Sequence, residues 1–315
     1  MRTPRLSLST EARRGAPPTA LASAAILRQR AEHAASTLPP LLVAAERIAA
    51  TVIQGVHGRR RVGQGETFWQ FRRYQPGDSI SAIDWRQTAK GDRVYVRENE
   101  WEAAQSIWLW CDTSPSMAWR SGREIPTKGE RAAVLSLALA SLLVRAGEQV
   151  ALLGSHQSPR GGRAVLNRLA DALSRAAPEG APSLPGVEPL PRYARVVLAG
   201  DLLSPAEEIE RIVRGYAARG VRGAMLQVLD PAEDTLPFAG RVRFSGLEGE
   251  GDTLIGRVET VREDYTELMA SHRAALADLA RAVGWSFIVH RTDTPPQTPL
   301  LSLHAALSAP VKGER

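Results

Sequence analysis

Short apolar runs alternate with amphipathic segments from residue 106 to residue 307, and this alternation constrains the fold most. The runs at 107–111, 195–200, 223–229 and 286–290 are nearly all apolar, which indicates strands that are buried on both faces. The segments between them carry apolar residues at helical spacing, most clearly at 128–146 and 261–283. The β–α–β order predicts an α/β fold with a doubly wound, mostly parallel sheet, and a small β insertion is predicted at 241–257.

The 315 residues divide into three predicted segments. Residues 1–18 are rich in Arg, Ser, Thr and Pro and are predicted to be a disordered lead. Residues 19–105 are expected to hold N-terminal helices, at 20–37 and from Pro40 onward, and then an irregular segment with one strand at 94–98. Residues 106–310 form the predicted α/β domain, in which 163–166 is expected to pair with the strand at 150–153, before a helix at 168–177.

The composition indicates a soluble globular protein, with 43% hydrophobic and 23% charged residues. The single cysteine, Cys111, excludes a disulfide framework within the chain and is predicted to be a buried core residue. No window reaches about 18 consecutive apolar residues, so no transmembrane helix is predicted. We therefore expect a cytoplasmic protein, with a peripheral position at the inner membrane as the alternative.

The formal net charge is +6, and much of the basic excess lies in the first third of the chain, including the run Arg59-Arg60-Arg61. Such a stretch can bind nucleic acid. However, no helix-turn-helix or aromatic RNA-binding motif accompanies it. A solvated, Arg-rich surface is the favoured interpretation, so no nucleic-acid partner is expected.

Oxygen-bearing side chains follow two of the predicted strands. Asp112, Ser114 and Ser116 follow the strand at 107–111, and Asp201 follows the strand at 195–200. Ligands of open α/β sheets bind at the carboxyl ends of the strands, and hard oxygen donors suit Mg²⁺ or Mn²⁺. A turn or helix cap explains an Asp-x-Ser-x-Ser pattern alone. The pattern together with Asp201 predicts a metal site.

This combination resembles the metal-ion-dependent adhesion site of von Willebrand factor A domains, a family with a doubly wound, Rossmann-like fold. The resemblance implies that Asp112, Ser114 and Ser116 hold a metal, with Asp201 as the Asp of the third loop. The family's second-loop Thr is missing from residues 180–185, where Ser183 is the candidate substitute. This departure bears on metal affinity more than on the fold.

A block directly before residue 106 has a specific pattern of aromatic, turn and charged residues: Gly65, Phe68, Phe71, Arg72, Tyr74, Pro76, Gly77, Asp78, Ile83, Asp84, Trp85, Arg86, Val96 and Glu98. The block is similar to the signature of the domain of unknown function 58 (DUF 58) family, and the resemblance covers roughly residues 40–310. The resemblance implies a partner, because members of that family are often encoded beside MoxR-type AAA+ ATPases, with which they are thought to act in protein maturation, complex assembly or metal insertion.

Asp78, Asp84 and Arg86 are the polar residues of this block whose role is least defined. We expect them to form a hydrogen-bonded network that holds the block on the α/β domain. A second functional site is the alternative.

The expected function is that of a non-enzymatic, chaperone-like bacterial interaction module. Its metal site binds a carboxylate of a partner or client through Mg²⁺ or Mn²⁺, and a MoxR-type AAA+ ATPase is the expected partner. Two alternatives remain open. One is a metal-dependent hydrolase at the same strand ends, for which no general base can be named. The other is a basic scaffold that binds nucleic acid.

Overall fold

The computed structural model describes residues 40–56, 68–74, 83–91, 93–99, 104–175, 180–249 and 251–308. The predicted lead at 1–18, the predicted helix at 20–37 and the run Arg59-Arg60-Arg61 lie outside these residues. The helices and strands, in chain order, are α1 (Pro40–Val56), β1 (Phe68–Arg73), α2 (Trp85–Thr88), β2 (Tyr95–Asn99), β3 (Ser106–Cys111), α3 (Lys128–Arg145), β4 (Gln149–Leu152), α4 (Arg163–Leu173), β5 (Arg195–Gly200), α5 (Ala206–Ala217), β6 (Arg222–Leu229), α6 (Pro231–Thr235), β7 (Val242–Ser245), β8 (Asp252–Ile255), α7 (Arg262–Val283), β9 (Ser286–Arg291) and α8 (Gln297–Ser308).

Five parallel strands form the main sheet, in the order β4-β3-β5-β6-β9. Trp108, Val196 and Met225 pack against α5 and α7 in one core cluster. The intervening Leu109 and Val197 are also buried, and α3 contacts the same strands. The prediction of an α/β protein with a mostly parallel sheet flanked by helices is therefore confirmed.

The strand order places β3 and β5 side by side, while the chain leaves β3 for β4 on one side and later returns to β5 on the other. The connections therefore diverge between the carboxyl ends of these two strands. In open α/β sheets such a point leaves a crevice that binds ligands. We call the carboxyl ends of β3, β5 and β6, with the loops that follow them, the carboxyl edge.

Several elements differ from the sequence prediction. Residues 163–166 do not pair with β4 but open α4, because Val165, Leu166 and Leu169 occupy buried positions at helical spacing. The antiparallel partner of Val150 is Arg160 instead. The segment predicted to be irregular contains strand β1, which pairs antiparallel with β2.

Two further predicted elements are present. The predicted β insertion is the antiparallel hairpin β7–β8, and the helix predicted from Pro40 onward is α1, which packs against α3. Cys111 is buried at the end of β3, as predicted. In the part of the chain that the structure describes, no helix combines the length and the apolar character needed to cross a bilayer.

Strand β6 approaches its neighbours so closely at Gly223 that no side chain fits there. A Cβ atom on Gly223 would lie 2.3 Å from the carbonyl oxygen of Val196 and 3.0 Å from Cζ3 of Trp285. Trp285 is itself fixed, since its indole N–H donates to the carbonyl of Val221 at 3.2 Å. The packing of α7 and β9 against the sheet therefore depends on this glycine.

We expect Gly223→Ala to lower the free energy of unfolding by about 3 kcal/mol, because the added methyl group overpacks the core. Gly186→Ala is the control, since a Cβ atom there meets nothing within 4 Å. That variant should stay within about 0.5 kcal/mol of the parent. Urea denaturation followed by circular dichroism measures both, and equal stabilities of the two variants would contradict the close approach.

His290 is a buried histidine near the end of β9. His290 is 3% exposed, and its Nδ1 lies 3.2 Å from the hydroxyl of Thr294. Within the described part of the chain, Nε2 has no hydrogen-bond partner. Burial lowers the pKa of His290 to about 4, and the positive charge of Arg131 acts in the same direction. The folded protein therefore holds His290 neutral at pH values at which the unfolded chain protonates it.

This difference predicts a loss of stability on acidification. The contribution is fully present above pH 6.5 and declines as the pH falls toward 4, because the unfolded state then binds the additional proton. Between pH 7 and pH 5, the parent should lose about 1–2 kcal/mol more than the variant His290→Gln. Urea titrations at both pH values measure this, with the exposed His156→Gln as control; a parallel decline of all three proteins would refute it.

Candidate functional site

Asp112 begins the turn that follows β3. Its backbone N–H donates to the carbonyl of Ala199 on β5 at 2.8 Å, which extends the sheet by one residue. The side chain is 1% exposed, and its Oδ1 accepts the N–H of Ser114 at 2.8 Å. The other carboxylate oxygen, Oδ2, is buried and has no hydrogen-bond partner among the residues that the structure describes. One oxygen of this carboxylate thus remains available at the carboxyl edge.

Gly200, the last residue of β5, provides the space for this carboxylate. A Cβ atom on Gly200 would lie 2.7 Å from Cβ and 2.9 Å from Oδ2 of Asp112. Any residue with a side chain at position 200 would displace this carboxylate. The position of the Asp112 side chain therefore depends on a glycine at the end of β5.

The two serine hydroxyls meet next to this carboxylate. Oγ of Ser114 lies 3.1 Å from Oγ of Ser116, and the Ser116 hydroxyl donates to Oδ2 of Asp201 at 2.7 Å. Neighbouring oxygens in an octahedral Mg²⁺ shell lie about 3 Å apart. Because the proton of Ser116 is directed to Asp201, the Ser114 hydroxyl is the donor in the contact between the two serines, and one lone pair of the Ser116 oxygen is left.

Asp201 follows β5 and is held from several sides. Oδ1 accepts the N–H of Leu203 at 3.2 Å, and the buried side chain of Gln227 donates to the backbone carbonyl of Asp201 at 2.9 Å. Oδ2 receives both the hydroxyl of Ser116 and the ammonium group of Lys128, the latter at 2.9 Å. Both oxygens of Asp201 already have donors, so this residue orients Ser116 and balances Lys128.

Lys128 is a member of the site that sequence reasoning missed. It is the first residue of α3, is 1% exposed, and places its ammonium 2.9 Å from Asp201 and 2.5 Å from Glu233. Burial acts to lower the pKa of Lys128, but the two carboxylates outweigh this effect and the pKa is raised. A cation in the first turn of a helix opposes the helix dipole, and this was the available sequence signal.

Glu233 joins the end of β6 to the same cluster. Its Oε2 accepts the N–H of Asp230 at 3.0 Å in the capping box of α6, while its Oε1 binds Lys128. Burial raises the pKa of Glu233. Asp230 in turn accepts the N–H of Ser121 at 2.9 Å. The ends of β3, β5 and β6 are thereby linked by polar contacts.

Ser183, the candidate replacement for the missing Thr, lies beside a different residue. Its hydroxyl is 3.0 Å from that of Ser204 in the loop that follows β5. Among the described residues, no hydrogen bond joins Ser183 to Asp112, Ser114 or Ser116. The structure thus connects Ser183 to the Asp201 loop.

Of the three polar residues Asp78, Asp84 and Arg86 in the block before β3, the structure describes Asp84 and Arg86. Asp84 caps α2 by accepting the N–H of Gln87 at 2.8 Å. Trp85 is 64% exposed, and Arg86 is exposed. Asp78 lies outside the described residues. The contact seen for Asp84 is local, and the wider network stays a prediction.

The buried and negatively charged surroundings of the Asp112 carboxylate favour a bound cation or proton. Burial raises the pKa of Asp112 to about 7, against the hydrogen bonds from Ser114, and the charges of Asp201 and Glu248 raise it further. A buried carboxylate with an unpartnered oxygen is costly unless it gains a proton or a cation. The hard-oxygen donor set, with its unpartnered buried oxygen, fits Mg²⁺.

Comparison with known families decides the classification. The family described as "Protein of unknown function DUF58" matches residues 70–275. This chain belongs to the DUF58 family. Two proteins named as uncharacterized, from Mycobacterium bovis and Mycobacterium tuberculosis, are each 26% identical to this DUF58 protein over 269 residues, which cover 77% of this chain and 80% of theirs.

Solved structures give weaker similarities. An aerotolerance-related membrane protein from Bacteroides fragilis has a TM-score of 0.39 and 13% identity, and covers 65% of this chain and 98% of its own. The conserved hypothetical protein BatB from Bacteroides thetaiotaomicron has a TM-score of 0.35 and 14% identity, with coverages of 64% and 98%. At these scores the similarities carry no functional argument.

The cluster around Lys128 leads to a test of stability. Lys128→Met should cost about 3 kcal/mol, because it leaves the buried carboxylates of Asp201 and Glu233 without their cation. The exposed Lys90→Met is the control and should change stability by less than about 0.5 kcal/mol. Urea denaturation at pH 7 measures both.

A double variant tests the interaction between Lys128 and Asp201 specifically. Adding Asp201→Asn to Lys128→Met removes one of the stranded charges, so the double variant should lose less than the two single variants combined. Strict additivity would show that Lys128 and Asp201 do not interact.

Proposed function

We propose that this DUF58 protein is a non-enzymatic interaction module whose carboxyl edge binds a carboxylate of a partner protein through Mg²⁺ or Mn²⁺. Asp112, Ser114 and Ser116 would hold the ion directly or through water. The observation that carries the proposal is the carboxylate of Asp112, which is almost fully buried and has one oxygen that no described residue hydrogen-bonds. Natural proteins rarely leave such an atom unsatisfied.

The other residues of the cluster have supporting roles in this proposal. Asp201 accepts a hydrogen bond from the hydroxyl of Ser116, so that the oxygen of this hydroxyl would face the ion. Lys128 neutralises part of the negative charge of Asp201 and Glu233, and its ammonium keeps both carboxylates in place. Bound Mg²⁺ would supply a positive charge that accepts an oxygen from outside the chain.

The nature of the partner is inferred from the family. The resemblance of the Asp-x-Ser-x-Ser turn to the adhesion site of von Willebrand factor A domains supports a docking role, while the DUF58 family model itself names no function. We propose that the sheet belongs to this A-domain type. We further propose a MoxR-type AAA+ ATPase as the partner, with maturation or assembly of client proteins as the joint task.

A capture experiment tests the metal-dependent docking. The chain is immobilised and incubated with the purified MoxR-type ATPase of the same organism, in Mg²⁺ or in EDTA. Capture should be lost in EDTA and in the variant Asp112→Asn, which removes the charge but keeps an oxygen for Ser114. The exposed Asp171→Asn on α4 should bind as the parent does.

The outcomes separate the competing functions. Capture that is indifferent to both EDTA and Asp112→Asn would reject the metal-dependent mechanism. Phosphoester hydrolysis that disappears in Asp112→Asn would replace the docking role by a hydrolase. Melting temperatures of the variants, measured in parallel, show whether each one is folded.

A further inference from the structure

Three buried polar atoms lie where the end of β9 packs against the first turns of α3. Nε of Arg131, Nε2 of His290 and Oγ1 of Thr292 are closed to solvent and have no hydrogen-bond partner among the described residues. His290 is 3% exposed and Thr292 is 1% exposed. Natural proteins rarely leave buried polar atoms unsatisfied, so three of them at one place indicate a bound ligand.

Strand geometry brings these three side chains together. The N–H of Thr292 donates to the carbonyl of Leu229 on β6 at 2.9 Å, so the pairing of β9 with β6 continues beyond Arg291. Because alternate residues of a strand share one face, His290 and Thr292 lie side by side. Arg131 comes from α3, and its Nη2 donates to the carbonyl of Thr292 at 2.8 Å. Its positive charge also acts on the pKa of His290, so the guanidinium adjoins both of these residues.

The hydrogen bonds around His290 define what a ligand must offer. The hydroxyl of Thr294 donates its one proton to the carbonyl of Arg291 at 2.8 Å, so it accepts from Nδ1 of His290, which lies 3.2 Å away. Nε2 of the neutral ring is then an acceptor. Nε of Arg131 is a donor, and the hydroxyl of Thr292 can act as either. A ligand that satisfies all three atoms therefore accepts from Arg131 and donates to His290.

The charge of Arg131 favours an anion as this ligand. Burial lowers the pKa of Arg131, and no described carboxylate offsets that effect. The nearby carboxylate of Asp293 is already bound by Arg291, with Oδ2 at 2.6 Å from Nη2 and Oδ1 at 3.0 Å from Nε. A buried guanidinium without a counter-ion is costly, and a bound anion removes that cost.

We propose that Arg131, His290 and Thr292 bind a small oxyanion that carries a hydroxyl group, of the size of hydrogen carbonate. A charged oxygen of the anion accepts from Nε of Arg131, and its hydroxyl donates to Nε2 of His290. Its remaining oxygen accepts from the hydroxyl of Thr292. The site goes beyond the proposed function and uses none of the residues of the serine turn.

The surroundings of the three atoms limit the size of the ligand and give it a way in. Because the atoms themselves are closed to solvent, the ligand has only a few atoms, which excludes phosphate esters such as nucleotides. Arg131 is half-buried, while Asp293 and Thr294 are exposed. The ligand therefore enters between α3 and the loop that follows β9.

The experiment uses the whole chain in carbonate-free buffer at pH 8 with EDTA, and the probe is hydrogen carbonate. Isothermal titration calorimetry gives its affinity, and calorimetric melting gives the stabilisation. Hydrogen carbonate at about ten times its dissociation constant should raise the melting temperature by about 2–4 °C. Nitrate is the matched anion, because it is planar and singly charged but has no hydroxyl group. Nitrate should bind about tenfold more weakly, since Nε2 of His290 then stays without a donor.

Variants of the chain test the contacts one by one. Thr292→Val keeps the shape of the side chain but removes the hydroxyl, and it should bind hydrogen carbonate about tenfold more weakly than the parent. Thr253→Val is the control, because it makes the same change at an exposed position of strand β8, and it should bind as the parent does. Arg131→Gln removes the positive charge and should abolish binding. In nitrogen-15 NMR spectra of the parent, Nε2 of His290 should have the shift of an unprotonated nitrogen, and this shift should change when hydrogen carbonate is added.

Several results would overturn the proposal. If hydrogen carbonate changes neither the heat signal nor the melting temperature, the three atoms hold a bridging water only. If nitrate binds as tightly as hydrogen carbonate, or if Thr292→Val binds as Thr253→Val does, the assigned ligand and its contacts are wrong. The NMR shift is measured on the parent, so the test remains decisive even if Arg131→Gln fails to fold.

Discussion

The buried ammonium of Lys128 is the contact on which the carboxyl edge depends. It lies between Asp201, after β5, and Glu233, in the first turn of α6, and it comes from the first residue of α3. Three elements that are distant in the chain therefore share one buried charge cluster. Such a cluster does not add much stability over an apolar core, but it fixes orientation, because each charge is costly without its partners.

That fixed orientation extends to the serine turn after β3, which is the proposed binding site. Asp201 is held by Lys128 and accepts a hydrogen bond from the hydroxyl of Ser116. Gly200 leaves the space for the carboxylate of Asp112, whose Oδ2 contacts no hydrogen-bond donor in the described ranges. The positive charge of Lys128 is shared by Asp201 and Glu233, and no ion pair joins Asp112 to another described residue. The carboxyl edge thus places a buried carboxylate beside two serine hydroxyls.

The sequence predicted the positions of the helices and strands better than the contacts that these elements make with one another. Long helices such as α3 and α7 and the buried strands of the sheet were predicted within a few residues, because their apolar spacing is strong. The segment from Arg163 was assigned to a hairpin, since four residues carry too little periodicity to separate a strand from a helix start. Asp112 and Asp201 were chosen as candidate site residues because each directly follows a predicted strand. For Lys128 the sequence offered only its position in the first turn of a helix, and for Glu248 it offered no indication of a contact with the serine turn.

The sequence by itself determined an α/β chain with oxygen-bearing residues after two buried strands, because apolar periodicity and strand-end motifs are local properties. Only the tertiary structure decided the neighbours of those residues. The strand order made β3 and β5 adjacent, the first turn of α3 brought Lys128 to Asp201, and the hairpin brought Glu248 to Ser116. Contacts between residues tens to more than a hundred positions apart depend on how the elements pack, which no local pattern encodes.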